Sequence, residues 1–279
     1  MGRMRAPAEV DTGSTGAELS AESQRDTSRR VREQPRALIV AHGQPSAPAA
    51  PEAAIAALAR AVAGHLPGWQ VEGATLAAPG ALEAALAALG PGAVPVYPLF
   101  MADGWFVSTR LPERLAAAGR PDCAVLPPFG LDPACAGLCL RAALEGARAQ
   151  GLDPVATTLL LAAHGSPSDP RPAAAARALA DAVARARCCR SIAVGFVDET
   201  PSIATAARRS GAGLCLPLFA AGNHHVRSDL PAALEAGGFT GIVLDPIGEH
   251  AAVPALIAAA LTKTAAARAD APGAGRRVP

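Results

Sequence analysis

The chain has one lysine, one tyrosine and two tryptophans in 279 residues, and aromatic residues make up only 3% of it. Its core must therefore be built mainly from alanine, leucine and valine, because hydrophobic residues still account for 51%. The net charge of +1 provides no concentrated basic face, which argues against broad nucleic-acid binding. Arg, Asp, Gly and Pro interrupt every alanine-rich stretch, so no membrane span is predicted.

Several common site motifs are also missing. The six cysteines form no pair of CxxC motifs at zinc-finger spacing, so we expect reduced thiols in a cytoplasmic protein and no iron–sulfur cluster. No GxGxxG opens a helix after the first predicted strand, and there is no GxxxxGK[ST], so nicotinamide and nucleotide sites lack their phosphate cradle. The absence of GxSxG or a Cys/His arrangement excludes a nucleophilic triad.

The two ends of the chain differ from its body. Residues 1–35 mix arginine with acidic residues and contain no apolar segment, so they are neither a secretory signal nor a transit peptide. We expect residues 1–35 and residues 266–279 to be disordered tails.

Segments from the two halves of the chain match one another. Three pairs align: ALIVAHGQPS with LLLAAHGSPS, PVYPLFMADGWFVSTRLP with LCLPLFAAGNHHVRSDLP, and VLPPFG with VLDPIG. The sequence therefore predicts two similar tandem domains, 36–152 and 153–265, divided at a Gly-Leu-Asp-Pro turn.

Short apolar runs alternate with helical patterns throughout the body. The runs that predict buried strands are 38–41, 93–97, 158–162, 192–197, 214–218 and 241–244. The segments of helical length include 52–65, 81–89, 173–187, 202–209 and 251–263. Steady alternation of strand and helix is typical of an α/β fold, in which parallel sheets are flanked by helices.

Polar side chains follow three strands of the second half. His164 comes directly after one strand, Asp198 and Glu199 close the next, and His224 and His225 follow the third. Open parallel sheets bind ligands at the carboxyl ends of their strands, so these groups are expected to converge at one edge. Two imidazoles and a carboxylate suit a divalent first-row transition ion, with coordination positions left open.

The first half does not repeat this set. His42 matches the first histidine, but Ala77 stands at the position of Glu199, and Trp105 and Phe106 replace the His pair. The first half therefore cannot build the same metal site. Taken alone, His42 is interpreted as a structural residue.

Other interpretations of single residues stay open at this stage. Glu199 serves either as a ligand or proton-transfer group, or as the cap of the helix that begins near Ser202. Asp229 is interpreted as a structural helix residue, and His65 and His250 as surface or loop residues.

The combination of AHGSP, DETPS and PLFAAGNHHVRSDLP resembles the sirohydrochlorin chelatases, the metal-inserting enzymes of sirohaem and cobalamin synthesis, in their fused two-domain form. The resemblance covers about residues 36–264. It implies that His164 and His225 bind the metal and serve its insertion, that Glu199 assists, and that the active cleft lies between the domains. His224 is an extra neighbour, which leaves the choice of ligand between the two adjacent histidines open.

The same resemblance implies a tetrapyrrole substrate that carries many carboxylates, with Co²⁺ or Fe²⁺ as the second substrate and no permanently bound cofactor. A neutral imidazole can also accept a pyrrole proton. Candidate substrate contacts are Arg227, Arg208, Arg209, Arg110, Asn223 and Ser166, with Trp105 and Phe106 as an apolar wall.

Two alternatives to catalysis remain. The chain is either a tetrapyrrole or metal carrier without turnover, or a small-molecule binding protein that shares only the fold. The sequence leaves open whether the protein forms a homo-oligomer.

Overall fold

The computed structural model describes residues 34–222 and 225–269, with only the backbone described at residues 225, 268 and 269. Residues 1–33 and 270–279 lie outside the described residues, so disorder there stays a prediction. Residues 266–269 belong to a helix that ends at Ala269, so the expectation that the disordered tail begins at residue 266 is wrong. Within the described ranges, no helix has the length and apolar character needed to cross a membrane.

The described residues form eight strands and eight α-helices in alternation. The strands are β1 Arg36–Ala41, β2 Gln70–Thr75, β3 Pro95–Pro98, β4 Ala124–Val125, β5 Thr158–Ala163, β6 Ser191–Phe196, β7 Gly213–Pro217 and β8 Ile242–Val243. The helices are α1 Ala49–Gly64, α2 Ala81–Ala88, α3 Leu111–Ala117, α4 Cys135–Ala149, α5 Arg171–Arg185, α6 Ile203–Ser210, α7 Leu230–Ala236 and α8 Val253–Ala269.

The strands form two parallel four-stranded sheets with the same topology. The strand order is β2-β1-β3-β4 in one sheet and β6-β5-β7-β8 in the other. The predicted α/β class with parallel sheets is therefore confirmed. In each sheet the direction of winding reverses beside the first strand, between β1 and β3 and between β5 and β7. Ligands bind outside the carboxyl ends of the strands at such reversal points.

Two helices pack against the sheet of the opposite half. Helix α4 follows the first sheet in the chain but packs against α5 and β7, where Leu138 and Cys139 are buried. Helix α8 ends the second half but packs against α1 and β3 of the first, where Ile257 and Leu261 are fully buried. One apolar cluster therefore includes residues of both sheets, and the described residues from Arg36 onward form a single compact unit.

All six cysteines are free thiols. Cys135 and Cys139 lie buried on the same side of α4, as the sequence predicts. Burial raises the pKa of the Cys215 thiol to about 12. A hydrogen bond with Cys139, together with burial, raises the pKa of Cys135. These thiols are therefore unreactive packing groups.

Replacement of Ile257 by alanine tests the packing of α8 on the first sheet. Because the side chain is fully buried, we expect Ile257→Ala to lower the free energy of unfolding by about 2–5 kcal/mol. The exposed Lys263 lies on the same helix, and Lys263→Ala is expected to change it by less than about 0.5 kcal/mol. Urea denaturation measures the change in unfolding free energy for both variants. We expect the two halves to unfold in a single shared transition. Two separate transitions would contradict a common core.

Candidate active site

His164 lies at the reversal point of the second sheet. It follows the last residue of β5, and its carbonyl accepts the backbone N–H of Asp198 at 3.0 Å, which extends the β5–β6 pairing past the strand ends. The predicted convergence of His164 with the carboxylates after β6 therefore has a direct backbone cause. Parallel pairing in register carries both residues to the same edge.

The imidazole of His164 is held through one ring nitrogen. Its Nδ1 lies 3.0 Å from the carbonyl oxygen of Gly165 and 3.3 Å from Oδ2 of Asp198, and both the His164 and Asp198 side chains are partly exposed. Because a carbonyl oxygen can only accept, Nδ1 carries the hydrogen, which in the neutral ring leaves the lone pair on Nε2. A carboxylate on Nδ1 is the usual way to fix the tautomer of a metal-binding histidine.

Glu199 anchors the loop that carries His164. Its Oε1 accepts the backbone N–H of Ser166 at 2.8 Å, and its Oε2 lies 3.9 Å from Arg177. The interpretation of Glu199 as a helix cap is wrong, because the Ser202 hydroxyl accepts the N–H of Thr205 and caps α6 instead.

Sequence reasoning gave no role to two residues of this site. Asp198 was visible at the end of its strand, but nothing in the sequence shows which of two adjacent carboxylates reaches the imidazole. Arg177 projects from α5, covers the Phe196 ring at 4.7 Å and donates to the Thr200 carbonyl at 3.1 Å. No local motif marks it, since it is one arginine among many in helical segments.

The segment with the histidine pair is described only in part. Asn223 and His224 lie outside the described residues, and the side chain of His225 does too. The backbone from His225 to Asp229 forms a π-helical turn that leads into α7, and Arg227 is exposed on it. Among the side chains that the structure describes, no three His, Cys, Asp or Glu residues are grouped to hold a metal ion.

The loop before the histidine pair is held by hydrogen bonds to a short turn that follows β8. The N–H of Gly222 donates to Oε1 of Glu249 at 2.5 Å, and Glu249 belongs to the short 3₁₀ turn Ile247–Glu249. Gly248 also donates its N–H to the Phe219 carbonyl at 3.0 Å. The end of β8 therefore positions the segment that follows β7.

A cavity of about 90 Å³ opens beside His164. Residues of the second half surround most of it, and Met101 of the first half completes it. A space of this size admits an ion or a few waters but no macrocycle, so a large planar ligand must lie at its mouth. A wider groove of about 340 Å³ runs along the outer surface of α4, and none of the candidate site residues lines it.

The corresponding place in the first half has the same backbone but different side chains. Nδ1 of His42 lies 2.8 Å from the carbonyl of Gly43, as in the second half. The Phe106 ring meets the imidazole edge to face, with 4.2 Å between the centroids. Phe106 begins a π-helical turn, Phe106–Arg110, like the turn that His225 begins. An aromatic ring thus packs on the imidazole.

Ala77 corresponds to two residues of the second half. Its N–H donates to the His42 carbonyl at 2.9 Å, as that of Asp198 does to His164. A Cβ built on Gly43 would lie 3.0 Å from the Ala77 methyl, much as one on Gly165 would lie 3.2 Å from Glu199. The prediction matches Ala77 with Glu199 alone and is therefore incomplete. The second half has one residue more at this point of the loop, so two carboxylates stand where the first half has one methyl.

The carboxyl edges of the two sheets meet through a polar bridge. Arg171 at the start of α5 binds Asp169 at 2.8 Å and donates to the hydroxyl of Ser108 at 3.0 Å. Arg171 and a backbone hydrogen bond from Trp105 lower the pKa of the Asp169 carboxyl. The backbone of Trp105 therefore lies beside the loop that leads from His164 to α5, and its side chain is 52% exposed.

Two of the predicted arginine contacts lie away from this edge of the sheet. Arg208 and Arg209 lie in the last turn of α6, which starts near the carboxyl end of β6 and runs back toward the opposite end of the sheet. Arg208 donates to the carbonyl of Ala236 there, at 3.3 Å. Arg110 lies 3.7 Å from Glu113. The structure therefore does not bring Arg208 or Arg209 to the edge where His164 lies.

Replacement of Gly165 by alanine tests the contact with Glu199. Gly165 has φ +75°, and an added methyl would press on the Glu199 side chain. Gly68 has φ +81° with open space around it, so Gly68→Ala should show the backbone cost alone, about 1–2 kcal/mol. We expect Gly165→Ala to destabilise the protein by at least about 1 kcal/mol more, measured by urea denaturation. Equal costs would mean that Glu199 does not restrain this loop.

Comparisons with known proteins give consistent results. The sequence model of the CbiX family matches residues 158–264. Among solved structures, "CbiX, the terminal Enzyme for Biosynthesis of Siroheme in Denitrifying Bacteria" is 47% identical, with a TM-score of 0.74 over 82% of this chain and 99% of that one. Comparison with curated protein sequences gives no significant match.

More distant structures support the fold. SirB from Bacillus subtilis with Fe³⁺ is 17% identical, with a TM-score of 0.68 over 85% of this chain and 98% of that one. The sirohydrochlorin chelatase SirB from Bacillus subtilis subspecies spizizenii in complex with cobalt is 18% identical. Its TM-score is 0.64 over 84% of this chain and 96% of that one. With nearly half of its residues identical to one CbiX over most of its length, and with the same family recognised in its second half, the chain belongs to the CbiX family.

Proposed function

We propose that this protein is a chelatase that inserts Co²⁺ or Fe²⁺ into sirohydrochlorin or a closely related tetrapyrrole. The observation that carries the proposal is His164, whose imidazole is fixed by Gly165 and Asp198 at the reversal point of the second sheet. Membership of the CbiX family supplies the reaction, since a 47% identical CbiX is an enzyme of sirohaem biosynthesis.

The ion is proposed to bind on the second half. His164 would supply one nitrogen and His225 the other, while Glu199 would either complete the ligand set or relay a proton. His224 is the alternative to His225. The Fe³⁺ and cobalt complexes of the SirB proteins support a transition ion as the substrate metal of this fold.

The tetrapyrrole is proposed to lie across the mouth of the cavity, between the two sheets. The exposed Trp105 offers an apolar face there, and aromatic rings stack on flat conjugated ligands. Arg227 in the second π turn and Ser166 in the His164 loop would meet the substrate's polar groups. Asn223 stays a predicted contact, while Arg208 is omitted because of its place at the far end of α6.

Three chemical requirements follow for these residues. The ion must lose water, two pyrrole N–H groups must lose their protons, and the ion and the ring must meet. Two nitrogen ligands with open positions hold the ion without saturating it, so the pyrrole nitrogens can replace the remaining water.

Metal insertion can be followed directly from the absorption spectrum of sirohydrochlorin. With Co²⁺, and separately with Fe²⁺ under anaerobic conditions, we expect the wild-type protein to accelerate metallation over a protein-free control. His164→Ala and His225→Ala are expected to lose this acceleration, because each removes a proposed ligand. His65→Ala, an exposed histidine at the end of α1, is the matched control and should retain it.

The outcomes separate the proposed functions. A bound-tetrapyrrole spectrum without acceleration would support a carrier, and no spectral change would leave only the fold. Folded His164→Ala and His225→Ala proteins with full activity would refute the site.

Two substitutions of Glu199 separate its charge from its hydrogen bond. The amide oxygen of Glu199→Gln can still accept the Ser166 N–H, whereas Glu199→Ala cannot. If the carboxylate acts as ligand or proton relay, both variants lose about 10–100-fold in insertion rate. A Gln variant as active as wild type, beside a weakened Ala variant, would assign Glu199 to holding the loop alone.

A further inference from the structure

The first half keeps an imidazole that the proposed function does not use. His42 follows β1 at the reversal point of the first sheet and is partly buried. Its Nδ1 lies 2.8 Å from the Gly43 carbonyl, so Nδ1 carries the hydrogen and, in the neutral ring, Nε2 carries the lone pair. Within the described residues, His42 makes no second hydrogen bond.

Aromatic contacts connect His42 to a residue that meets the second half. The His42 ring contacts Phe106, whose own ring lies 5.1 Å from the exposed Trp105. The backbone of Trp105 bonds Asp169, which follows the His164 loop of the other half. A series of contacts thus runs from His42 of the first half to Asp169, which follows the His164 loop in the second.

The surroundings of His42 do not suit a metal ion. Ala77 supplies a methyl where the second half has carboxylates, and the Phe106 ring packs on the imidazole. Phe106 also takes the place of a histidine in the aligned π turn. A neutral imidazole with Nδ1 bound to a carbonyl can accept a proton at Nε2.

Metal insertion supplies the protons for such a group. When a divalent ion enters the ring, each of two N–H bonds breaks, the electron pairs stay on the pyrrole nitrogens as donors to the ion, and two protons leave. An ion held by the second half occupies one face of a macrocycle that lies between the sheets. The opposite face looks toward the first half, where protons can depart without meeting the cation.

We propose that His42 is a catalytic proton acceptor that works from the first half, on the face of the macrocycle opposite the metal. Nε2 bonds one pyrrole proton, the imidazolium passes it to water, and the reset ring accepts the second. The proposal rests on the proposed chelatase function and assigns the two steps to different halves, metal binding to the second and proton removal to the first.

The test compares His42→Ala and His42→Gln with wild type, using cobalt insertion into sirohydrochlorin for kcat and KM, and Co²⁺ binding without tetrapyrrole by calorimetry. We expect kcat to fall about 10²-fold in both variants, as for loss of a general base, with Co²⁺ affinity unchanged. The Gln side chain can still donate to a backbone carbonyl but is no base. Added imidazole is expected to restore part of the His42→Ala rate, and wild type with the same imidazole measures inhibition by cobalt chelation.

Each outcome is decisive. Full activity in either folded variant, or a lost rate that imidazole does not restore, would overturn the role of His42. Weakened Co²⁺ binding in both variants would instead make His42 part of the metal site and would also overturn it. Wild-type protein without insertion activity would refute the proposed function itself, and His65→Ala again serves as the histidine control.

Discussion

Apolar packing of helices across the two halves is the constraint on which the rest of the structure depends. Helix α4 covers the second sheet and α8 covers the first, so neither sheet can bury its face without the other half. Each fully buried Leu or Ile on such a helix contributes about 1.5–3 kcal/mol. The separation of the two carboxyl edges is consequently fixed by the core, and loops such as Asp169–Arg171 only fasten edges that already meet.

On this common frame, the two edges differ in what they can do. Both present a histidine whose Nδ1 is bound by the next carbonyl. In the second half two carboxylates then hold the imidazole and its loop, whereas in the first an aromatic ring packs on it. Different side chains on similar backbones therefore give one edge with carboxylates beside the histidine and another with an aromatic ring beside it.

Sequence patterns predicted the central strands and most helices, because strands buried on both faces read as continuous apolar runs. The edge strand β2, QVEGAT, mixes polar and apolar residues and was not predicted. The two-residue strand β4 was also missed, although the equally short β8 was predicted. Apolar spacing shows that α4 and α8 each bury a face but not which sheet they cover. His164 and the carboxylates were placed by strand order, whereas the preference of Asp198 for the imidazole depends on a backbone register that no motif records.

The bond between each histidine ring and its neighbouring carbonyl has a thermodynamic consequence. A side chain that is already oriented by the main chain loses little rotational freedom when it meets its partner. Its conformational entropy is lost once, during folding, and not at each binding event. Because the restraint belongs to the backbone, it also persists when surrounding side chains are exchanged. The orientation of the His42 ring therefore does not depend on carboxylates. For this reason the position can retain an oriented imidazole beside Ala77 and Phe106.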